Sequence, residues 1–390
     1  MKIAYIHNIV MPGREANTVN VAKMCNALSG LGAEVTLVAA NSGDPSDLGE
    51  RIRAHYDLEQ NFEVRALPSF AARPSMAGVV GALQAQQARA DLVWTRAPHA
   101  AIAACAVGLP TLLEVHTDLS AFSALGRQAF HRAVGHSKLV GLVTISTALA
   151  QHLAGQFPAI AERIIVAHDG ADDRDASPAP VRPAGSPLHV GYVGSLYKGR
   201  GIELIEAVAA TSSDRFTIVG PGAESLSRPD APANILYREA VPHARVPAML
   251  AGFDVLIAPY QRSVMVADGK TDSVRWMSPL KLFEYMAARR PVLTSDLPVI
   301  REILRDGETA LLRAPEDIGA WAAALALLRQ APHIRADLAE RAYAQFQRDH
   351  TWRSRAAGIL SELDPLLART RPRTRAPRSA FADQRPSPPA

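Results

Sequence analysis

The sequence predicts an α/β protein of two doubly wound domains, each a parallel sheet with helices on both faces, set against each other across a central cleft. Three observations carry this expectation. Short apolar runs of strand length alternate with helix-like segments along nearly the whole chain. Composition shifts once: residues 172–187 hold three Asp and four Pro with no apolar periodicity, which reads as a linker, and the alternation restarts beyond it. The length, 390 residues, suits two domains.

Taken in order, Ile3–Ile6 reads as a buried first strand, too short an apolar run for a signal peptide. A helix is expected from Val19 to Leu31, apolar at Val21, Ala22, Met24, Cys25 and Leu28 and ended by Gly30 and Gly32. Strands are expected at Glu34–Ala39, Val64–Leu67, Leu92–Thr95, Thr111–Val115 and Leu142–Ile145, the last leading into a helix from Thr147, and Ile164–Ala167 closes the first half. After the linker come a strand at His189–Val193, a helix at Ile202–Ala210, strands at Phe216–Val219 and Ile235–Tyr237, a helix near Val246–Ala251 and a strand at Val255–Ala258. A helix at Leu280–Ala288, a strand at Pro291–Thr294, a helix at Pro298–Leu304 and a short strand at Ala310–Leu312 follow, then helices at Glu316–Leu328, Pro332–Gln347 and Thr351–Leu367. Residues 369–390 carry six Arg, one Asp and five Pro without an apolar face and read as a disordered tail.

Apolar residues make up 48% and charged residues 21% of the chain. This excludes wholesale disorder, a collagen-like fibre and a disulfide scaffold. Cys25 and Cys105 each stand alone in apolar sequence, as small core residues of a reducing compartment do. The longest uncharged run, Ala97 to Leu113, is broken by two prolines and falls short of a membrane span. A cytoplasmic protein is therefore expected. The formal net charge is +4, but without the tail's six Arg and one Asp the chain has 36 basic against 37 acidic residues. The basic balance belongs to the tail, and no nucleic-acid partner is expected.

Three segments carry chemistry. Ser278 and Pro279 are a favoured cap and first helical residue, so the helix they open offers free N–H groups, with Lys281 in its first turn and Glu284 one turn on. A helix N-terminus with a cation is an anion site, and the added carboxylate suits a diphosphate with an adjoining ribose. A capped helix with an incidental ion pair reads equally well. The segment from Gly191 to Gly201 places Gly194, Ser195, Gly199 and Arg200 between a strand and a helix. Its glycines permit close backbone approach to a ligand, though it is neither a Walker loop nor a dinucleotide fingerprint. His116 ends a buried strand, where it could donate a hydrogen bond or serve in proton chemistry, although a lone histidine is more often structural. No metal-ligand spacing and no nucleophile elbow occurs.

Together these segments resemble the family 4 glycosyltransferases over roughly residues 1–365. The run from Ser278 to Ala287 is similar to that family's donor-site helix, and Asn17–Met24 to the first helix of its members that build bacterial polysaccharides. Val219-Gly220-Pro221-Gly222 and Val166–Gly170 resemble two further family positions, with Asp169 where Asn is usual. The resemblance implies the GT-B fold: an acceptor-side domain over 1–171 joined by a crossover helix at 351–367, and a donor domain over 188–350. It implies a retaining, metal-independent transfer of a hexosyl group from a nucleoside-diphosphate sugar to a glycan or lipid-linked acceptor, in cell-surface polysaccharide or glycolipid synthesis. The nucleotide sugar is then a co-substrate and no cofactor is needed.

By the same resemblance Arg200, Lys281 and the helix start at Ser278 and Leu280 bind the diphosphate, Glu284 holds the ribose, and His116 meets the donor sugar. Gly13, Gly194 and Gly220 approach the donor. Ser195 stands where many members have a second diphosphate-binding Arg. Trp276, eight residues before Glu284, stands where a Glu usually contacts the sugar, with Asp268 and Asp272 as nearby substitutes. Arg127, Arg132 and Lys138 alternate with Phe122, Leu125, Phe130, Val134 and Leu139 in a stretch without acidic residues. That stretch would suit an anionic membrane surface on the inner face of the plasma membrane, or an ordinary helix packed on the sheet. Two other readings share the architecture: a sugar-nucleotide epimerase and a non-catalytic donor- or partner-binding subunit.

Overall fold

The structure, a computed structural model, describes residues 1–13, 15–68, 73–179, 182–266 and 268–370. The first half alternates strictly: β1 (Lys2–Met11), α1 (Ala16–Gly30), β2 (Glu34–Asn41), α2 (Leu48–Tyr56), β3 (Glu63–Ala66), α3 (Pro74–Gln87), β4 (Leu92–Thr95), α4 (Pro98–Ala106), β5 (Thr111–Val115), α5 (Ala124–Val134), β6 (Leu139–Thr144), α6 (Thr147–Gln156) and β7 (Ile164–Val166). All seven strands pair in parallel, in the order β3-β2-β1-β4-β5-β6-β7. Odd residues of β1 and even residues of β4 and β5 share one face, with Ile3, Tyr5, Leu92, Trp94 and Leu112 buried there under α1.

The second half is β8 (His189–Val193), α7 (Ile202–Ala209), β9 (Arg215–Val219), β10 (Ile235–Arg238), α8 (Val246–Leu250), β11 (Val255–Ala258), α9 (Leu280–Ala287), β12 (Val292–Ser295), α10 (Pro298–Arg301), β13 (Leu311–Arg313), α11 (Ile318–Gln330) and α12 (Pro332–Gln345). Its sheet is also parallel, ordered β10-β9-β8-β11-β12-β13. The last helix, α13 (Trp352–Thr370), crosses back: Trp352, Ala356, Ile359, Leu363 and Leu366 pack into the core of the first domain. The fold is thus two facing Rossmann-like domains, as expected.

Several boundaries differ from expectation for physical reasons. β1 runs on to Met11 through an irregularity between His7 and Val10. The linker is anchored: Asp172 binds the buried amine of Lys23 at 2.6 Å and Arg174 binds Asp57 at 2.9 Å. The expected tail starts two residues late, since Arg369 and Thr370 still belong to α13; residues 371–390 lie outside the described ones. In the acid-free stretch, Phe130, Val134 and Leu139 are core residues, Phe122 is half-buried, and Leu125 alone of those apolar residues is exposed. Among the described residues no helix is long and apolar enough to cross a membrane.

The domains also grip each other. Trp276, on the loop before α9, is buried in a first-domain cluster with Leu113, Val115, Leu119 and Ile145. Its indole N–H donates to Asp118 at 3.2 Å, its ring lies 4.7 Å from that of His152, and its carbonyl accepts from Ser146 at 3.0 Å. Glu302, just after α10, accepts the backbone N–H groups of Thr147 at 2.7 Å and Ala148 at 3.2 Å, closing the N-terminus of α6 with a carboxylate from the other domain.

Candidate active site

The glycine loop after β8 is shaped by approaches closer than a Cβ would permit without a shift. A Cβ on Gly194 would stand 2.7 Å from Lys281 Nζ, and one on Gly220 would stand 2.2 Å from the Gly194 carbonyl oxygen. With both positions bare, the Lys281 side chain runs past the loop to Tyr192. Its amine donates to the Tyr192 hydroxyl at 2.6 Å and lies 3.8 Å from that ring's centre. Tyr192 in turn donates to the Ser195 carbonyl at 2.6 Å. Ser195 therefore contributes a backbone contact here.

Arg200 joins this group. Its guanidinium carbon and Lys281 Nζ each lie 5.4 Å from the centre of the Tyr260 ring. Neither cation has an ion-pair partner among the described residues. Arg200 Nε and the Tyr260 hydroxyl are buried without a hydrogen-bond partner. Burial, and then the Arg200 charge, push the Lys281 amine well below its usual range. Two neighbouring basic groups, neither in an ion pair among the described residues, form a site short of negative charge.

Glu284 lies one turn beyond Lys281 on α9. Burial, reinforced by Asp172, raises its carboxyl to about 7, against the pull of Lys281 and Lys23. His243 Nδ1 stands 3.8 Å away.

Ser278 departs from its expected role. Pro279 precedes α9 and no side chain caps it; the Ser278 hydroxyl instead accepts the Asp169 N–H at 2.8 Å. The reason is competition from across the cleft, where Asp169 is held by Asn20 at 2.6 Å. Among the described residues no side-chain oxygen reaches the first-turn N–H groups from Leu280 onward, and Leu280 itself packs against the first-domain core.

His116 sits just past β5, its Nε2 at 2.7 Å from Glu114. Glu114 is fully buried and also accepts from Arg355 at 2.9 Å, Trp94 at 2.8 Å and Tyr5 at 3.3 Å. Burial works against its charge, but Arg355 and His116 hold it well below the usual carboxylate range. An ionised acceptor fixes the proton on His116 Nε2, and burial with the Arg96 charge keeps the ring neutral. Gly13 exchanges hydrogen bonds with Tyr56, at 2.8 Å and 2.9 Å, and among the described residues no hydrogen bond ties it to the cation pair. Asp268 and Asp272 are bound to their own loop, Asp268 by Lys270 and Thr271, and Asp272 by the backbones of Val264 and Val274.

Sequence reasoning missed Tyr192 and Tyr260, which frame the cations, and Arg96, His7 and Asn17 in the first domain. The signal for the last group was the parity of β1, β4 and β5, which puts His7, Arg96 and His116 on one face.

Residues 18–175 match the profile of glycosyltransferase family 4, and residues 200–361 match that of a glycosyl transferase-like family. A GDP-mannose-dependent alpha-mannosyltransferase of Mycolicibacterium smegmatis is 23% identical over 340 residues, 80% of this chain and 84% of that one. Among solved structures, HepE of Anabaena in complex with UDP superposes with a TM-score of 0.68 at 14% identity, covering 94% of this chain and all of that one. Sucrose-phosphate synthase of Thermosynechococcus elongatus superposes with a TM-score of 0.68 at 15% identity, covering 94% and 99%. At these identities the structural likeness is one of fold.

Proposed function

The chain belongs to the family 4 glycosyltransferases, and we propose that it transfers a hexosyl group, with retention, from a nucleoside-diphosphate sugar to a hydroxyl of a glycan or lipid-linked acceptor. The observation that carries this reading is the half-buried Arg200 and the buried Lys281, both over the Tyr260 ring and neither in an ion pair among the described residues. Breaking the sugar–phosphate bond leaves charge on the diphosphate. Both cations and the uncapped start of α9 would stabilise that charge as it develops. Glu284 would accept the ribose hydroxyls. His116, neutral and oriented by Glu114, would present a hydrogen bond to the sugar without acting as a base, since a leaving-group oxygen can take the acceptor's proton. No metal or cofactor enters this scheme.

GDP-mannose is the first donor to try, because it is the donor named for the mycobacterial relative; UDP-sugars are the second, after the UDP bound to HepE. A role in cell-surface polysaccharide or glycolipid synthesis, on the inner face of the plasma membrane, fits the exposed Leu125, Arg127 and Arg132 on α5. Thermal shift against a panel of sugar nucleotides, followed by nucleoside-diphosphate release, tests the reading. One donor should raise the melting temperature of the wild type and be turned over, while Arg200→Ala and Lys281→Ala should lose both responses. Turnover at the wild-type rate in both variants would sink the assignment.

A further inference from the structure

The first domain's sheet has its topological switch point between β1 and β4, since the connections leave these neighbours in opposite directions in the order β3-β2-β1-β4-β5-β6-β7. A doubly wound sheet opens a ligand crevice there, at the carboxyl ends of its strands. Tyr5 and Trp94 are paired in register and both donate to Glu114, the next residue of like parity beyond Leu112 on β5, on the face beneath α1. The next residues of the same parity are His7 and Arg96, following Tyr5 and Trp94, and His116, following Glu114; together they make up the layer nearer the carboxyl ends.

We propose that this layer is an anion subsite for the acceptor, in which Arg96, with His7 and Asn17, binds a phosphate or carboxylate group next to the hydroxyl that receives the sugar. Three unmet bonds define it. The half-buried Arg96 guanidinium makes one polar contact among the described residues, to the Asn17 carbonyl at 3.3 Å, and no ion pair. His7 is 2% exposed and its Nε2 has no partner. Asn17 Oδ1 is buried and also unpartnered. Buried polar groups are ordinarily satisfied, so two such atoms beside one unpaired cation describe a ligand's outline. An anionic oxygen answers Arg96 and a hydroxyl donor answers Asn17. Burial, helped by the Arg96 charge, takes the His7 ring down to about 3, so it stays neutral and adds a hydrogen bond without adding charge.

This inference rests on the transfer reading, which places the donor on the opposite domain, and its test separates the two. With the protein saturated by GDP or UDP, whichever raises its melting temperature, calorimetry measures binding of glycerol 3-phosphate, glycerate and glycerol. The subsite requires one of the two anions to bind at least tenfold more tightly than glycerol, and the preferred anion tells phosphate from carboxylate. Arg96→Met should weaken that anion tenfold or more while nucleotide affinity stays put, and Arg96→Lys should restore most of it. Should Arg96→Met fail to fold, Asn17→Asp, which sets a like charge beside the anion, must weaken it in the same sense. Equal binding of glycerol and both anions, or anion binding indifferent to Arg96 and Asn17, overturns the subsite. Absent nucleotide binding by the wild type would instead count against the donor reading.

Discussion

Arg355 reaches Glu114 at 2.9 Å across 241 positions of chain, both side chains at most 1% exposed. The last helix thus supplies the counter-charge for the carboxylate that orients His116. Arg355 Nε and Nη2 also donate to the carbonyls of His168 and Ala167, so the ion pair fixes the exit of β7 as well.

Removing that cation leaves a buried carboxylate without its counter-charge, held, among the described residues, only by Trp94, Tyr5 and His116. Arg355→Ala should destabilise the protein by about 3–5 kcal/mol, read by denaturant unfolding, and Arg355→Lys should recover only part, having lost the forked geometry. A stability within 1 kcal/mol of wild type would mean that Glu114 is not held by this pair.

Nucleotide binding should take up protons. The empty site depresses the Lys281 amine, and an arriving diphosphate restores it toward its ordinary value. Between the two values the complex holds more protons than the free protein, so affinity falls as pH rises through that window. Calorimetry in buffers of different ionisation enthalpy should show uptake in the wild type and its loss in Lys281→Met.

Glu284 should couple stability and donor binding in opposite senses. Its folded value, about 7, lies above that of an unfolded Glu, so folding holds an extra proton between roughly pH 4.3 and 7 and stability declines as pH climbs through that range. Glu284→Gln should therefore melt higher than wild type at pH 8 while raising KM for the donor. In the wild type, kcat/KM should drop as pH falls through about 7.

Gly194→Ala should keep the fold and lose activity. The new methyl would meet the far end of a flexible side chain, Lys281 Nζ at 2.7 Å, at a φ of +152°. Displacing that amine should lower kcat/KM by on the order of tenfold or more, checked alongside a melting temperature that moves by only a few degrees.

Trp276→Ala should loosen the domains. Truncating a large core aromatic costs roughly 3–5 kcal/mol, and here the cavity opens between two domains. Small-angle scattering should show a larger radius of gyration, and donor release should speed up. Trp276→Glu should not gain activity, since the new carboxylate would be buried beside Asp118.

The sequence made much of this legible. Strand–helix alternation exposed both sheets, because buried parallel strands such as Leu92–Thr95 and Val255–Ala258 are continuous apolar runs. The turn from Ser278 to Lys281 located the cation site. α3 went unread because Ala, Gly and Gln fill most of it and give little helical periodicity. The Ser278 cap was misassigned since its competitor, the Asp169 N–H, is 109 residues away. Trp276 was seen as a missing carboxylate, whereas its burial in the other domain depends on a contact between loops that no local pattern encodes. Arg96 escaped notice because an arginine gains its meaning from the lack of a partner, which only three dimensions reveal.

The return of α13 sets the order in which a ribosome can finish this protein. The first domain's core needs Trp352, Ile359 and Leu363, which emerge after the whole second domain has been made. The earlier-synthesised half must therefore wait, its α1 face open, while the later half closes first, contrary to the usual N-terminal-first sequence of domain folding. A nascent chain arrested before residue 352 would expose that apolar face to chaperones.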